Sequence, residues 1–483
     1  MRSSASNATS PTGSSPSTPT TSDSRDEPDA FAPAREGVSV TSPATAPTGV
    51  PEPLPLDEVD LTDLDKFRDA ATPWRMFHTL RHQDPVHWQP EAAPQHGFWA
   101  VTRHEDIVRV GRDPETFTST MFVNLEEVDE DQIARRASLL ELDGLRHQAL
   151  RRLLQREFGA GVITTYTDFL RGLTAKTLDT ALAKGRFDFV HEVSADFPIH
   201  VLARLLDVPE DDTQQLIDWG NRIIGNTDPD YADVLFDSAE SENYRDLPFR
   251  SPASLEVFAY GRKLARRRRG GDGTDLVSRL VNETPRDGVP LSEQDFDNYF
   301  LLLVVAGNET TRHAISHAML ALIQNPDQLE LLRRDPSLIP GAVEEFLRWS
   351  SPVHHFRRTA TRDVELGGKH IREGDKVVMW YASGNRDEAV FLDPYRFDVT
   401  RRSNSHVTFG KGSPHMCLGN LLARTEMRIM FEELIPRIAD IRLTGEVPRV
   451  RSNFVNGIKC LPVEVVVPPR RRSGGLVGPL RGR

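Results

Sequence analysis

The pattern of apolar and polar positions along the chain predicts mainly helices with a few short strands. From Leu139 to about Leu280, apolar residues recur at helical spacing, as in LRHQALRRLLQREF and FPIHVLARLLD. From Val364 to Met379 the pattern changes to alternation around Gly-Gly and Glu-Gly turns, which is typical of strands. IKCLPVEVVV predicts one more strand near the end of the chain. The sequence therefore favours a mainly α fold with small β-sheets.

One predicted helix is much longer than the others. Ser292 is placed to cap it, with Asp295 three residues later, and the pattern continues to Asn325, where Pro326 ends it. A helix of this length spans roughly 50 Å and is expected to cross the core. Its middle reads VVAGNETTR, which places an acid and two hydroxyl groups where a core helix is usually apolar.

Composition narrows the class of protein. The net charge of −12 argues against a general nucleic-acid binder. Two cysteines in 483 residues cannot form a disulfide framework, which is typical of a reducing compartment. No apolar run approaches the ~20 residues of a membrane span, and the N-terminus lacks the apolar centre of a secretory signal. We therefore expect a cytoplasmic protein with no membrane span.

The two ends of the chain differ from its body. Residues 1–55 are rich in Ser, Thr, Pro and Ala and bury too little apolar surface to fold, so we expect them to be disordered. Residues 468–483 are expected to form a flexible basic tail. Residues 56–467 between them are expected to form the functional domain.

Cys417 lies in FGKGSPHMCLG, residues 409–419, just before a predicted helix, LLARTEMRIMFEELI. The N-terminus of a helix favours a thiolate and lowers the pKa of a nearby thiol. Alone, such a cysteine is compatible with a nucleophile, a redox switch, a zinc ligand, a haem ligand or a small buried residue. His415 and Cys417 are too few ligands for zinc. His415 could act as a base, but nothing else nearby supports a nucleophilic site.

The segment resembles the haem-binding loop of the cytochrome P450 superfamily. Phe409, Gly412, Cys417 and Gly419 occupy the places of the family pattern. There is one residue more than usual between Gly412 and Cys417, as in actinobacterial members that oxidise sterols and branched lipids.

Three other segments resemble the same family, in the family's order. AGNETT, residues 306–311, is similar to its oxygen-activating segment. EFLR, residues 345–348, matches its Glu-x-x-Arg signature, and DPYRFD, with Arg396, matches the segment that completes its ion-pair network. The four segments together are much more specific than any one of them, and they imply the cytochrome P450 fold, with a helical domain around the long helix and a minor β-rich domain.

The resemblance implies a haem b cofactor, iron protoporphyrin IX, with the Cys417 thiolate as the ligand of its iron. The two haem propionates need cationic or hydrogen-bonding partners, for which the family arrangement points to two histidines and two arginines. The implied cofactor-binding residues are His147, Arg151, Ala306, Arg358, His406, Phe409, Gly410, Cys417 and Gly419.

The resemblance also assigns catalytic, lining and structural residues. Glu309 and Thr310 are expected to deliver protons to bound oxygen. Helical spacing places them on one face with Leu302, Val305 and Ala306, which are expected to line the substrate site. Glu345, Arg348 and Arg396 are expected to form a structural ion-pair network.

The implied activity is that of a monooxygenase, which uses O2 to hydroxylate a hydrophobic substrate. The chain shows no flavin, nicotinamide or iron–sulfur motif, so electrons are expected from a ferredoxin or flavodoxin with its NAD(P)H reductase. The family arrangement places Arg146, Arg152, Arg156, Lys411 and Arg424 near the thiolate side, where they would form a basic patch for that donor; scattered surface cations without such a role are the alternative. A steroid, terpenoid or branched lipid is the expected substrate. The alternatives are a polyketide or other natural product, a peroxygenase that uses H2O2, and a haem protein that only binds gas.

Overall fold

The structure, a computed structural model, describes residues 49–468 apart from Pro94. Within these residues the chain is mainly α-helical with small sheets, as predicted. The helices are α1 (Thr72–Gln83), α2 (His104–Arg112), α3 (Glu130–Arg136), α4 (Gly144–Gln155), α5 (Ala160–Thr165), α6 (Thr167–Leu182), α7 (Asp196–Leu206), α8 (Thr213–Ile224), α9 (Ala253–Arg268), α10 (Leu276–Asn282), α11 (Glu293–Gln324), α12 (Pro326–Arg334), α13 (Ile339–Ser350), α14 (Tyr381–Gly384) and α15 (Asn420–Leu434).

Three antiparallel or mixed sheets accompany the helices. The largest has the strand order β1-β2-β8-β5-β3, the second β4-β10-β9, and the third pairs β6 with β7. The strands are β1 (Val86–Gln89), β2 (Phe98–Val101), β3 (Phe117–Thr118), β4 (Arg186–Asp188), β5 (His355–Ala360), β6 (Val364–Leu366), β7 (Lys369–Ile371), β8 (Lys376–Trp380), β9 (Asp440–Leu443) and β10 (Pro462–Val466). The alternating segment thus forms strands as predicted.

The long helix is confirmed as α11, and its N-terminus has the predicted capping box. The Asp295 backbone N–H donates to the Ser292 hydroxyl at 3.0 Å, and the Ser292 N–H donates to the Asp295 carboxylate at 2.9 Å. Both bonds satisfy N–H groups that a helix start otherwise leaves without partners. α11 crosses the largest apolar core cluster, which places its polar middle inside the protein.

The predicted N-terminal segment, residues 1–55, is described only from residue 49, and the predicted tail only at residue 468. The described part contacts α1: Arg75 donates to the Glu52 carbonyl at 2.9 Å, and the Thr79 hydroxyl donates to the Leu54 carbonyl at 2.8 Å. The predicted disorder of residues 1–48 and 469–483 concerns segments outside the described residues.

Among the described residues, no helix has both the length and the apolar character needed to cross a membrane.

Candidate active site

A cavity of about 1660 Å³, its open mouth included, lies between α11 and the loop that precedes α15. The cavity is lined by residues of α11 on one side and of the Cys417 loop on the other, so a group bound in it would contact both. Most of its wall is apolar, and the apolar lining includes Val123, Leu139, Leu140, Leu202, Leu302, Leu303, Val353, Phe356, Phe409 and Leu422.

The loop 409–419 brings Cys417 to the cavity. The Cys417 backbone N–H donates to the Phe409 carbonyl at 2.9 Å, which closes the loop. Gly410 and Gly412 have φ values of +68° and +79°, which favour glycine, and a Cβ on Gly412 would lie 2.5 Å from Arg112 Nε. Cys417, Phe409, Gly410 and Gly419 all line the cavity, as expected for a ligand loop.

The environment of the Cys417 thiol differs from the one predicted. Its side chain is exposed and lines the cavity. Burial raises the pKa of this thiol, and the opposing effects of the Gly419 N–H, Arg151 and Arg424 do not offset it. The helix N-terminus alone therefore does not hold a thiolate here, and a bound cation such as a metal ion would be needed to do so.

The face of α11 that lines the cavity is rotated relative to the predicted one. Leu302, Ala306 and Thr310 line the cavity as expected, but Val305 and Glu309 do not. The other cavity residues of α11 are Leu303, Gly307, Thr311 and Ala314. At 100° per residue this set centres roughly a quarter turn from the predicted face, so Val305 packs in the core instead.

Glu309 points to the side of α11 opposite the cavity. Its carboxylate accepts from Arg312 at 3.2 Å and Asn308 at 3.3 Å, and His313 Nε2 lies 3.5 Å away. Burial alone would raise the pKa of Glu309, but Arg312 and His313 lower it below its ordinary value. Glu309 is therefore a buried, ion-paired carboxylate in this conformation.

Thr310 presents a hydroxyl group to the cavity. It donates to the Ala306 carbonyl one turn earlier, at 3.0 Å, which satisfies the hydroxyl within its own helix. Next to it, Gly307 also lines the cavity. A Cβ at this position would lie 3.2 Å from Leu202, so a larger side chain would crowd that residue.

Four positively charged or hydrogen-bonding side chains gather at one edge of the cavity, and we call His147, Arg151, Arg358 and His415 the cation group. Arg151, Arg358 and His415 line the cavity, and the His147 ring stacks on that of His415 with centroids 4.1 Å apart. Arg151 donates to the Met416 carbonyl, and Arg358 to the Arg357 carbonyl. Within the described residues, neither arginine has a carboxylate partner.

The histidines of the cation group are buried next to a single acid, Asp143. His415 Nε2 donates to Asp143 at 2.8 Å, and this bond helps to lower the pKa of Asp143 to about 2 despite burial. His147 Nε2 has no hydrogen-bond partner among the described residues. Burial, with His415 and Arg151, lowers the pKa of His147 to about 4. A buried ring nitrogen without a partner, beside two arginines that lack acid partners, is typical of an anion site.

His406, expected in the same role, does not face the cavity. Its Nε2 lies 3.0 Å from the Glu344 carboxylate, which also accepts from Arg424 at 2.7 Å. These two partners help to lower the pKa of Glu344 to about 2, despite its burial. His406 is thus occupied by Glu344, and His415, not His406, lines the cavity.

Among the cavity residues that were not predicted, His415 and Glu426 carry an imidazole and a carboxyl group. His415 was considered only as a zinc ligand or a base, although it lies two residues before Cys417. Glu426 is buried, and one of its carboxylate oxygens has no partner among the described residues. Burial raises the pKa of Glu426 well above its ordinary value. Its spacing from Gly419 and Leu422 on one helical face was the signal that could have identified it.

The ion-pair network forms, but with a different third member. Arg348 donates to both carboxylate oxygens of Glu345 at 2.7 Å, and both side chains are fully buried. Arg401, at 3.1 Å, and Asn404, at 3.0 Å, complete this Glu345 network. Arg396 contributes only its backbone carbonyl, and its side chain is exposed. The prediction for Arg396 is therefore wrong, since the cation that reaches Glu345 lies five residues later.

The donor set fits a haem. Its iron calls for one soft ligand, which Cys417 can supply, and its two propionates match the cation group. On the thiol side, a Cβ on Gly419 would meet no atom within 4 Å, so the wall is open to a flat group.

Comparisons with known proteins agree with this site. A family model described as cytochrome P450 matches residues 259–438. The chain is 36% identical over 439 residues to a methyl-branched lipid omega-hydroxylase of Mycobacterium tuberculosis, covering 88% of this chain and 98% of the relative. It is 38% identical over 390 residues to a steroid C26-monooxygenase of Mycolicibacterium smegmatis, covering 79% and 87%.

A solved structure with the same fold is that of a Mycobacterium marinum cytochrome P450 in complex with pseudoionone. It aligns with a TM-score of 0.77 and 36% identity, over 85% of this chain and 99% of that one. Identity at this level over most of both chains leaves one conclusion: the chain belongs to the cytochrome P450 family and is a monooxygenase of the bacterial type.

Proposed function

We propose that residues 56–467 form a catalytic domain that binds haem b and hydroxylates a steroid, terpenoid or methyl-branched lipid with electrons from a separate donor protein. One observation carries the proposal: the Cys417 thiol and the cation group share one large apolar cavity. A sulfur ligand and an anion site in one apolar cavity suit a metal-containing macrocycle with acidic substituents.

Each wall of the cavity has a part in holding the cofactor. Cys417 supplies the thiolate ligand of the iron, and Phe409, Gly410 and Gly419 shape the loop around it. Arg151, Arg358, His147 and His415 hold the propionates, and Ala306 keeps the opposite wall small. When bound, the haem supplies the oxygen-activating chemistry. Burial raises the pKa of the free Cys417 thiol. With haem bound, the positive charge of the iron would lower this pKa and keep Cys417 as a thiolate.

We assign proton delivery to Thr310 and Glu309, in that order from the cavity. The Thr310 hydroxyl lines the cavity and can pass a proton to the reacting centre once it releases the Ala306 carbonyl. Glu309 lies on another side of the helix, so its part is to turn away from Arg312 and His313, take up a proton from solvent and pass that proton to Thr310. Proton transfer by a positioned group contributes typically about 10²–10⁴-fold to a rate.

The substrate class follows from the lining and from the relatives. Above Cys417 the wall is formed by side chains such as Leu302, Leu303, Val353 and Phe356, and its only cations belong to the cation group. Such a wall favours a neutral, apolar part of a substrate next to the reacting centre. The names of the relatives, a lipid omega-hydroxylase and a steroid C26-monooxygenase, point to the same class.

Two spectroscopic measurements test the proposal. The reduced, carbon-monoxide-bound protein should show the red-shifted Soret band of sulfur-ligated haem, and Cys417→Ser should abolish that band. Cys460→Ser is the matched control, because Cys460 lies outside the cavity and should leave the band unchanged. A band retained by Cys417→Ser would contradict the proposal.

The substrate class is tested by titration of the oxidised protein with steroids, branched fatty acids, terpenes and polyketides. A blue shift of the Soret band with the first three groups, followed by product formation with O2 and electron donor, is expected. A shift with polyketides alone would move the assignment to natural-product tailoring. Turnover with H2O2 but not with a donor and its reductase would identify a peroxygenase instead, and a protein that binds gas without forming any product would be a non-enzymatic haem protein.

For the electron donor we propose a ferredoxin or flavodoxin that docks beside the Cys417 loop. Arg152, Arg156 and Lys411 are exposed there and make no ion pair within the described residues, whereas Arg146 and Arg424 are paired with acids. Exposed Arg112, at the Cys417 loop, extends this surface. Unpaired cations near the thiolate steer an acidic partner despite the negative net charge.

Charge reversal tests the docking surface. Arg152→Glu combined with Lys411→Glu should raise the donor concentration needed for half-maximal turnover at low salt, and the difference from the native protein should shrink at high salt. Arg266→Glu, on the exposed end of α9, is the control and should have no such effect. Equal effects of the double change and of Arg266→Glu would contradict the proposed docking surface.

A further inference from the structure

A second group of side chains with ligand chemistry lies apart from the cavity, on α1. His78 and His82 are one helical turn apart, and Glu388, in the segment after α14, reaches both. One ligand atom of each lies within 4.8 Å of the other two. Two imidazoles and one carboxylate are a donor set that zinc accepts, with water in the fourth position.

The distance between two of these atoms already suits a metal ion. His78 Nδ1 and Glu388 Oε1 are 3.4 Å apart. Two ligands at roughly 2.0–2.1 Å from a tetrahedral zinc ion are about 3.4 Å from each other. His78 Nδ1 is buried and makes no hydrogen bond within the described residues, so its lone pair is not otherwise used.

The tautomer of His82 leaves one ring nitrogen without a proton, as metal binding requires. Its Nδ1 lies 2.9 Å from the His78 backbone carbonyl, which can only accept, so Nδ1 carries the proton. The lone pair is then on Nε2, and the ring is held by a backbone bond of the kind that orients metal-binding histidines. His82 is exposed, so an ion from solvent can reach it.

Glu388 is oriented by Arg81. Arg81 Nη2 and Nε donate to the two carboxylate oxygens at 3.1 and 3.2 Å, and each oxygen keeps a second lone pair. The arginine charge opposes a cation, so a hard ion held by charge alone, such as Mg²⁺ or Ca²⁺, is disfavoured. Imidazole nitrogens select zinc and similar transition metals.

We propose that His78, His82 and Glu388 form a binding site for a divalent transition metal, of which zinc is the representative. The ion would join α1 to the segment after α14 on a surface that takes no part in the haem cavity. Its effect is then on the stability of this region, since a ligand that binds only the folded state raises the unfolding midpoint.

The test uses the full-length holoenzyme without an affinity tag, dialysed to equilibrium against zinc chloride. Elemental analysis gives zinc and iron together, so haem iron serves as the internal count of protein. The native protein should hold about one zinc ion more per iron than His82→Gln, and zinc should raise the thermal midpoint of the native protein but not of that variant.

His370→Gln is the matched control, because His370 is also exposed and faces two acids, Asp363 at 3.4 Å and Glu365 at 3.0 Å. It should keep the zinc content and the thermal shift of the native protein. An unchanged zinc-to-iron ratio in His82→Gln would overturn the proposal, as would an equal loss in His370→Gln. His78→Gln should lose the same ion, and if that variant does not fold, the exposed His82 decides the outcome.

Discussion

The Glu345 network and the cation group are both buried, and they differ in whether the protein alone completes them. Glu345 accepts bonds from Arg348, Arg401 and Asn404 at 2.7–3.1 Å, and Arg348 also donates to backbone carbonyls. In the cation group, Arg358 has one carbonyl partner and His147 has a ring nitrogen with no partner among the described residues.

This difference separates structure from binding. A buried charge is tolerated when its partners are all present, and removing one partner is strongly destabilising. In the cation group only His415 has an acid, Asp143, among the described residues, so the group becomes complete only when an anionic ligand arrives. The Glu345 network therefore belongs to the fold, whereas the cation group has the arrangement of a site for an anionic ligand.

The largest expected effect comes from breaking the complete network. Arg348→Ala leaves the Glu345 carboxylate buried with fewer partners and should cost about 3–5 kcal/mol of stability. The midpoint of urea unfolding and the yield of folded protein measure this loss. Arg396→Ala is the control: its side chain is exposed, so the change should stay within about 0.5 kcal/mol. Comparable losses in both variants would contradict the assignment of Arg401 as the third member.

The next effect comes from weakening the incomplete group. His415→Gln removes an imidazole that lines the cavity and bonds the Asp143 carboxylate, and a hydrogen bond to a charged group contributes about 1.5–3 kcal/mol. Haem should then be lost roughly 10–150-fold more readily, as measured by its transfer to an excess of apomyoglobin. His406→Gln should retain haem like the native protein, because His406 contacts Glu344 and not the cavity. Faster haem loss from His406→Gln than from His415→Gln would support the original prediction that His406 helps to bind the haem.

Local patterns were enough to predict the elements that hold the site. The capping box and Pro326 defined α11, alternation around glycine turns defined β6 to β8, and the apolar stripe defined α15. These signals lie within a few residues of the structures they specify. The residues brought to the cavity by them, such as Cys417 and Thr310, could therefore be named from the sequence.

The errors concern the direction of side chains. Arg396 and Arg401, or His406 and His415, are the same residue type a few positions apart, and nothing local distinguishes which one faces a buried acid or a cavity. The α11 face was misassigned for Val305 and Glu309 because neighbouring faces of a helix buried on nearly all sides have similar apolar patterns. Only the packing of α11 against its neighbours decides which face meets the cavity.

The smallest expected effect on stability concerns a third kind of buried group, one that has no hydrogen-bond partner and no part in the cavity. Both ring nitrogens of His355 lack partners within the described residues, and burial lowers the pKa of this histidine to about 3. The unfolded chain takes up a proton below about pH 6.5, while the folded protein does not until about pH 3. Stability is therefore unaffected above pH 6.5 and falls by up to about 1.4 kcal/mol per pH unit below it.

His355→Phe should remove this pH dependence, because phenylalanine can keep the contacts of the ring with Trp380 and Phe454 and does not titrate. Urea midpoints at pH 7.5 and pH 5.0 test this, and the variant should lose about 2 kcal/mol less than the native protein between the two. His354, whose pKa is also lowered to about 3, keeps a similar slope in both proteins. An equal loss in the variant would mean that His355 is solvated or paired in solution, which would remove it from the third kind of group.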